Sequence, residues 1–242
     1  MSQGTETQLH PLQGGATLEI NRNGNHQYWI DDRVKMPSVT TLTGHIDGDG
    51  FGAGMGWALK QARENGGDLE APRRVSKEAM AAGTALHDDI DQYIKDGTVA
   101  EGSPAFVAWL HEVGEHKEWL AAEQFVYHRA LSYGGTADAF SMSPATGGFP
   151  TPRFGDPVIW DWKTKNPESY AKYGGGVKDH AQLAAYAMAL REMGSILAPV
   201  SGFIAYIMRD GSGVDVVPVD LEKGWELFKA SRTLSQLVKA GK

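Results

Sequence analysis

Val158-Ile159-Trp160-Asp161-Trp162-Lys163-Thr164 is the stretch on which the fold turns. Branched and aromatic side chains favour a pleated strand, and a strand sends successive side chains to opposite faces. Asp161 and Lys163 therefore share one face, roughly 6.6 Å apart along the strand. Trp160 and Trp162 share the other and are expected to enter a packed layer. A carboxylate on so stiff an element can hold a hard cation such as Mg²⁺. An amine beside it can position or help deprotonate a water, or stabilise charge on a phosphate oxygen. Alone, an Asp-x-Lys pair is more often a solvated ion pair on a surface strand.

On the C-terminal side, 178–193 has the pattern of a helix. Val200–Arg209 and Val214–Val219 form a hairpin over Asp210-Gly211, and a closing helix covers 222–238. On the N-terminal side, the Pro- and Gly-rich run 143–157 is expected to be a long loop. Gln124–His128 and Gly135–Met142 are expected strands joined through Ser132-Tyr133-Gly134, after helices over 76–96 and 104–122. Before these, Trp57–Glu64 reads as a short helix ending at Asn65-Gly66-Gly67, and His45–Gly56 as a Gly-rich loop. Ser38 is a candidate N-cap ahead of Val39-Thr40-Thr41-Leu42. Thr17–Ile20 and Gln27–Ile30 are read as a hairpin around Asn23-Gly24, followed by a turn at Asp31-Asp32. Residues 1–15 are expected to form a flexible tail, and 16–242 one domain. This order of helices and strands predicts an α/β fold with a mixed central β-sheet flanked by helices.

Three more segments carry candidate chemistry. In Gly134-Gly135-Thr136-Ala137-Asp138-Ala139-Phe140, the glycines permit a tight turn or a close approach. Asp138 sits among apolar neighbours, where a carboxylate needs a partner, although an Asp there could equally cap a turn. In Gly83-Thr84-Ala85-Leu86-His87, the imidazole lies at the edge of the apolar face made by Leu86, Ile90 and Tyr93. It can ligate metal there, or simply pack. Asp91, one turn on, is a candidate to orient it, and Asp88 is expected in solvent. Gln182 and Tyr186, four apart, share a helix face, as they would in any amphipathic helix with polar edges.

The chain has 242 residues, 41% of them hydrophobic, enough for one sizeable core. It has no cysteine, which excludes disulfides, thiolate zinc sites, cysteine nucleophiles and the usual iron–sulfur clusters. No apolar run suits a membrane span and no secretory leader is visible, so a cytoplasmic location is expected. The net charge of -7 argues against a large non-specific nucleic-acid surface. It still allows a local basic strip.

Taken in order, Gly83–His87, Gly135–Asp138, Asp161–Lys163 and Gln182–Tyr186 resemble the four motifs of the RecB-like branch of the PD-(D/E)XK nucleases. These are G-x-x-x-H on a helix, G-x-x-D on a strand, D-x-K, and Q-x-x-x-Y on a helix. Pro37-Ser38-Val39-Thr40-Thr41-Leu42 is similar to the opening of small phage-encoded and mitochondrial genome-maintenance exonucleases of this branch. The resemblance thus spans Pro37 to Tyr186. Ala137 stands where the family name puts Pro, and the cysteines that hold a cluster in some relatives are absent.

The resemblance implies a restriction-endonuclease-like core and Mg²⁺- or Mn²⁺-dependent hydrolysis of linear DNA, single- or double-stranded, with exonuclease action. It assigns metal binding to His87, Asp138, Asp161 and the Trp162 backbone carbonyl, and catalysis to Lys163 with Asp161 and Asp138. Gln182 and Tyr186 would shape the site or contact DNA, and the Glu of the family's first core strand falls nearest Glu123. Lys163, Lys165, Lys172 and Lys178 form the candidate basic strip. Trp57, Tyr170 and Tyr173 could serve either packing or stacking on unpaired bases. A single-strand-binding or annealing protein is a second partner class. The location would be the host cytoplasm if a phage encodes the chain. A structure-specific endonuclease, a catalytically inactive DNA-binding module and an unrelated acidic α/β protein are the competing readings.

Overall fold

Pro157–Lys165 is strand β7 of a computed structural model that describes residues 7–11, 17–21, 28–30, 34–46, 50–142 and 155–240. It is the middle strand of a five-stranded sheet whose order follows the chain. Trp119–His128 (β5) pairs antiparallel with Tyr133–Met142 (β6), which pairs antiparallel with β7. Ser201–Met208 (β8) runs parallel to β7, and Val214–Val219 (β9) closes the edge antiparallel. Parallel strands need a crossover. Pro167–Tyr173 (α5) and Val177–Glu192 (α6) provide it. The sheet is therefore mixed, with helices on both faces, as the sequence pattern predicts.

The expected alternation along β7 sorts the two cores. Val158, Trp160 and Trp162 pack with Leu86 and Ile90 of Ala71–Asp96 (α3) and with Phe106 and Trp109 of Pro104–Glu112 (α4). Ile159 enters the opposite layer, with Leu183, Ala184 and Leu190 of α6 and Phe228 of Leu221–Ala240 (α7). Val39 and Leu42 of Val39–Thr43 (α1) join that layer. Ser38 caps α1 as expected, accepting from the Thr41 N–H at 3.1 Å. Ala181, Ala184, Ala185, Ala187 and Ala189 of α6 are all buried, which lets the helix lie close to both the sheet and α7.

Several boundaries differ from the sequence reading. The expected Gly-rich loop 45–56 is helical from Gly50, and Gly50–Glu64 (α2) ends where Gly66 and Gly67 take positive φ. α3 starts at Ala71, ahead of Ser76, with Pro72 in its first turn where no N–H is needed. It stops on a left-handed Gly97, as expected. The expected helix 104–122 ends at Glu112. A 3₁₀ turn follows, and β5 begins at Trp119 because Trp109 and Trp119 stack, with ring centroids 5.9 Å apart.

At the N-terminus, Thr7–Pro11 (β1) pairs with Thr17–Asn21 (β2), inside the stretch expected to be a tail. Backbone pairing there meets hydrogen-bonding needs that a tail would leave to water. Tyr28–Ile30 (β3) pairs with Val34–Met36 (β4) rather than with β2. The turns at Asn23-Gly24 and Asp31-Asp32, and most of the expected loop 143–157, lie outside the described residues. No described helix is long and apolar enough to cross a membrane.

Candidate metal centre

The β6–β7 ladder runs from Met142↔Pro157 to Ala139↔Trp160. Past that point a side chain takes over from the backbone: the Trp162 N–H donates to Asp138 Oδ2 at 2.8 Å. The Trp162 carbonyl lies 3.1 Å from His87 Nε2, on α3. A carbonyl only accepts, so Nε2 carries the proton in this contact, and Nδ1 is the nitrogen left to face a ligand. Nδ1 lies 3.7 Å from Asp138 Oδ2. Gly83 lets α3 come this near, since a Cβ there would sit 3.2 Å from Thr164 Oγ1 on β7. The backbone of β7 thus holds one end of both His87 and Asp138, and their free ends meet.

Glu123 meets them from β5. Its neighbours pair as Ala122↔Ala139 and Gln124↔Ala137, which sets Glu123 across from Asp138. Its backbone has φ of 49°, the left-handed region, which costs a residue with a Cβ about 1–2 kcal/mol. Such strain persists where surroundings enforce it, and often at functional sites. Ligand atoms of His87, Glu123 and Asp138 all lie within 4.8 Å of one another. Two carboxylates and a neutral imidazole are hard and borderline donors, and they fit Mg²⁺ or Mn²⁺. The like charges of Glu123 and Asp138 are disfavoured at this range unless a cation lies between them.

Asp161 sits deeper. It is fully buried. Its Oδ1 accepts from Gln182 Nε2 at 3.2 Å, and its Oδ2 lies 2.5 Å from Lys163 Nζ. Burial pushes the Asp161 carboxyl up to about 7; Lys163 pulls it down, and Asp138 adds to the rise. For the Lys163 amine, burial alone works against charge, but Asp161, Asp138 and Asp179 outweigh it and the pKa is raised. Lys163 is therefore a cation held against a buried carboxylate.

Gln182 also donates to the Tyr186 hydroxyl at 3.1 Å. Burial keeps that phenol neutral, well above its ordinary pKa. Gly135 is required here, because a Cβ on it would lie 2.4 Å from Tyr186 Cε1.

Members of all four motif segments are thus neighbours in space. The three-ligand cluster, however, comprises His87, Glu123 and Asp138, with Asp161 set beside it against Lys163 and Gln182. The Trp162 carbonyl is occupied by the His87 ring. Glu123 carried only a faint signal, since its role depends on a register and a φ that no local pattern reveals. Asp91, expected to orient His87, instead pairs through Oδ2 with Lys95 at 2.6 Å, one turn along α3, and is half-buried. Asp88 is exposed, as expected.

The expected basic strip divides. Lys165 Nζ leans on the buried Asp179 at 3.7 Å and over the Tyr206 ring at 5.1 Å. Asp179 also accepts from the Tyr206 hydroxyl, at 3.3 Å. Lys172 and Lys178 are exposed, as are Trp57 and Tyr173. Tyr170 donates to Asp215 at 2.5 Å and packs on Tyr206, so its ring serves the fold.

No protein family matches the chain, and no curated protein matches it. Among solved structures, one match is titled "Crystal structure of SSO0001". It has 13% identity over 65% of this chain and 87% of that one, with a TM-score of 0.30.

Proposed function

We propose that the protein is a divalent-metal-dependent deoxyribonuclease that hydrolyses phosphodiester bonds of linear DNA, akin to the RecB-like PD-(D/E)XK nucleases. One observation carries the reading. Segments far apart in the chain, marked by four ordered motifs, place His87, Asp138, Asp161, Lys163, Gln182 and Tyr186 around one point. Chance matches of short motifs have no reason to converge in space.

His87, Glu123 and Asp138 would hold Mg²⁺ or Mn²⁺, with Asp161 beside them. When bound, the ion supplies Lewis-acid charge that polarises a phosphodiester and acidifies water. The chain's own groups do the rest. Lys163 presents a fixed ammonium toward charge that develops on a phosphate oxygen, and it orients the attacking water. Asp161 keeps that amine charged and in place. Gln182 and Tyr186 brace Asp161, and the Trp162 peptide sets the angles of His87 and Asp138. With no cysteine in the chain, this site works without an iron–sulfur cluster.

The test is digestion of end-labelled linear single- and double-stranded DNA beside a covalently closed circle, in Mg²⁺ and in chelator. The reading expects loss of label from linear DNA in Mg²⁺ only, with the circle spared. Rapid nicking of the circle would move the assignment to an endonuclease. Undiminished digestion in chelator would remove the metal from the mechanism.

A further inference from the structure

We propose that the wall of the cleft facing the metal centre binds the phosphate next to the scissile one. The ligands are the hydroxyls of Ser38, Thr40 and Thr41 and the amines of Lys35 and Lys239. The proposal rests on the nuclease reading and adds to it how the strand is held.

A cleft of about 810 Å³ is lined by His87, Glu123 and Asp138 and also by these five residues. Ser38 Oγ lies 3.0 Å from Thr40 Oγ1 and 2.8 Å from Thr41 Oγ1, so three hydroxyls gather at one spot. Lys35 comes from β4 and Lys239 from the last turn of α7. In a protein of net charge -7, two amines lining the same cleft as three hydroxyls mark a place for an anion. A phosphodiester fits the set: its two free oxygens accept from hydroxyls and amines, and the neighbouring linkage then falls toward the acidic side, where a cation is needed.

The wall is stiff. The Gly134 N–H donates to the Pro37 carbonyl at 3.2 Å, Val39 and Leu42 are buried, and Ser231 Oγ donates to the Leu42 carbonyl at 2.5 Å. The donors are side chains, because α1, with five residues, is too short for its dipole to matter. Thr40 and Thr41 are exposed, so they can be altered without touching the core.

The experiment uses the whole chain and a labelled single-stranded oligonucleotide, with Kd read by fluorescence anisotropy and KM and kcat by cleavage. Lys35→Gln and Lys239→Gln should each raise Kd about tenfold and flatten the plot of log K against log salt by about 0.7. Thr40→Val removes one hydroxyl and keeps the shape. It should raise Kd about fivefold and leave the salt slope alone. In each variant KM rises more than kcat falls. An uncharged methylphosphonate beside the cleaved linkage should weaken wild-type binding by a similar factor, and should cost a variant combining Lys35→Gln, Thr40→Val and Lys239→Gln much less.

Unchanged Kd and salt slope in all three variants would overturn the wall and leave the nuclease reading standing. So would a methylphosphonate penalty equal in wild type and triple variant. A chain that neither binds nor cuts DNA overturns both.

Discussion

Glu123 is the residue at which stability and function part. Its φ of 49° favours glycine, and its carboxylate faces that of Asp138. Glu123→Gly should therefore fold at least as stably, gaining roughly 0.5–1 kcal/mol by urea titration, because relief of strain exceeds the entropy glycine loses. The same variant should lose the rise in Tm that Mn²⁺ gives the wild type, since one of three ligands is gone. A destabilised Glu123→Gly with the Mn²⁺ shift intact would show that the strain serves packing.

Lys163 makes the opposite case. It touches Asp161 and lies outside the three-ligand cluster. Lys163→Ala should lose most cleavage, upwards of a hundredfold in kcat, yet bind Mn²⁺ as well as wild type or slightly better. Loss of metal binding in a correctly folded Lys163→Ala, checked by circular dichroism, would contradict the assigned role.

At the level of elements, strand β6 and helix α6 meet through Gly135 and Tyr186. A methyl at Gly135 would lie 2.4 Å from the buried Tyr186 ring. Gly135→Ala should cost about 1–3 kcal/mol in urea denaturation. It should cost much less in a Tyr186→Leu background, where the ring edge is gone; equal costs in both backgrounds would mean the two residues are not coupled.

Elements were legible in the sequence where period and punctuation agreed. β7 with its two-residue alternation, the β8–β9 hairpin at Asp210-Gly211 and the end of α3 at Gly97 were of that kind. The reading slipped where tertiary contact decides. The helical pattern after Pro104 continues to Ala122 in the sequence, yet stacking of Trp119 on Trp109 turns the chain into β5 earlier. That shift moves Glu123 from the start of a strand to its middle, opposite Asp138. The same slip therefore moved a boundary and left Glu123 with only a faint match. The glycines at 50, 52, 54 and 56 read as a loop because each lowers helix propensity, but here they lie in α2.

Across the whole molecule, both cores hang on one sheet. Val158, Trp160 and Trp162 face the α3–α4 layer and Ile159 the α6–α7 layer, while Ile204 and Tyr206 of β8 alternate with Ala205 and Ile207 in the same way. Neither layer can melt without exposing the other face of β7, so unfolding should be one cooperative transition. Trp109, Trp119, Trp160 and Trp162 cluster in the α3–α4 layer, and Trp225 belongs to the other. In a Trp225→Phe chain, fluorescence should report mainly the first layer and give the same Tm as far-UV circular dichroism. Two separate midpoints would mean that the layers unfold independently.

The four motifs were legible because their spacing survives in the chain, whereas the cleft beside them was not, since Lys35 and Lys239 come to one cleft only in the fold. The proposed chemistry requires that His87, Glu123 and Asp138 hold a divalent ion. Calorimetric titration of the intact protein with Mn²⁺, beside Asp138→Asn, measures this most directly. The structure predicts saturable binding in the wild type and at least about a tenfold loss of affinity in the variant. Absence of binding, or equal affinity in both proteins, would contradict the metal centre.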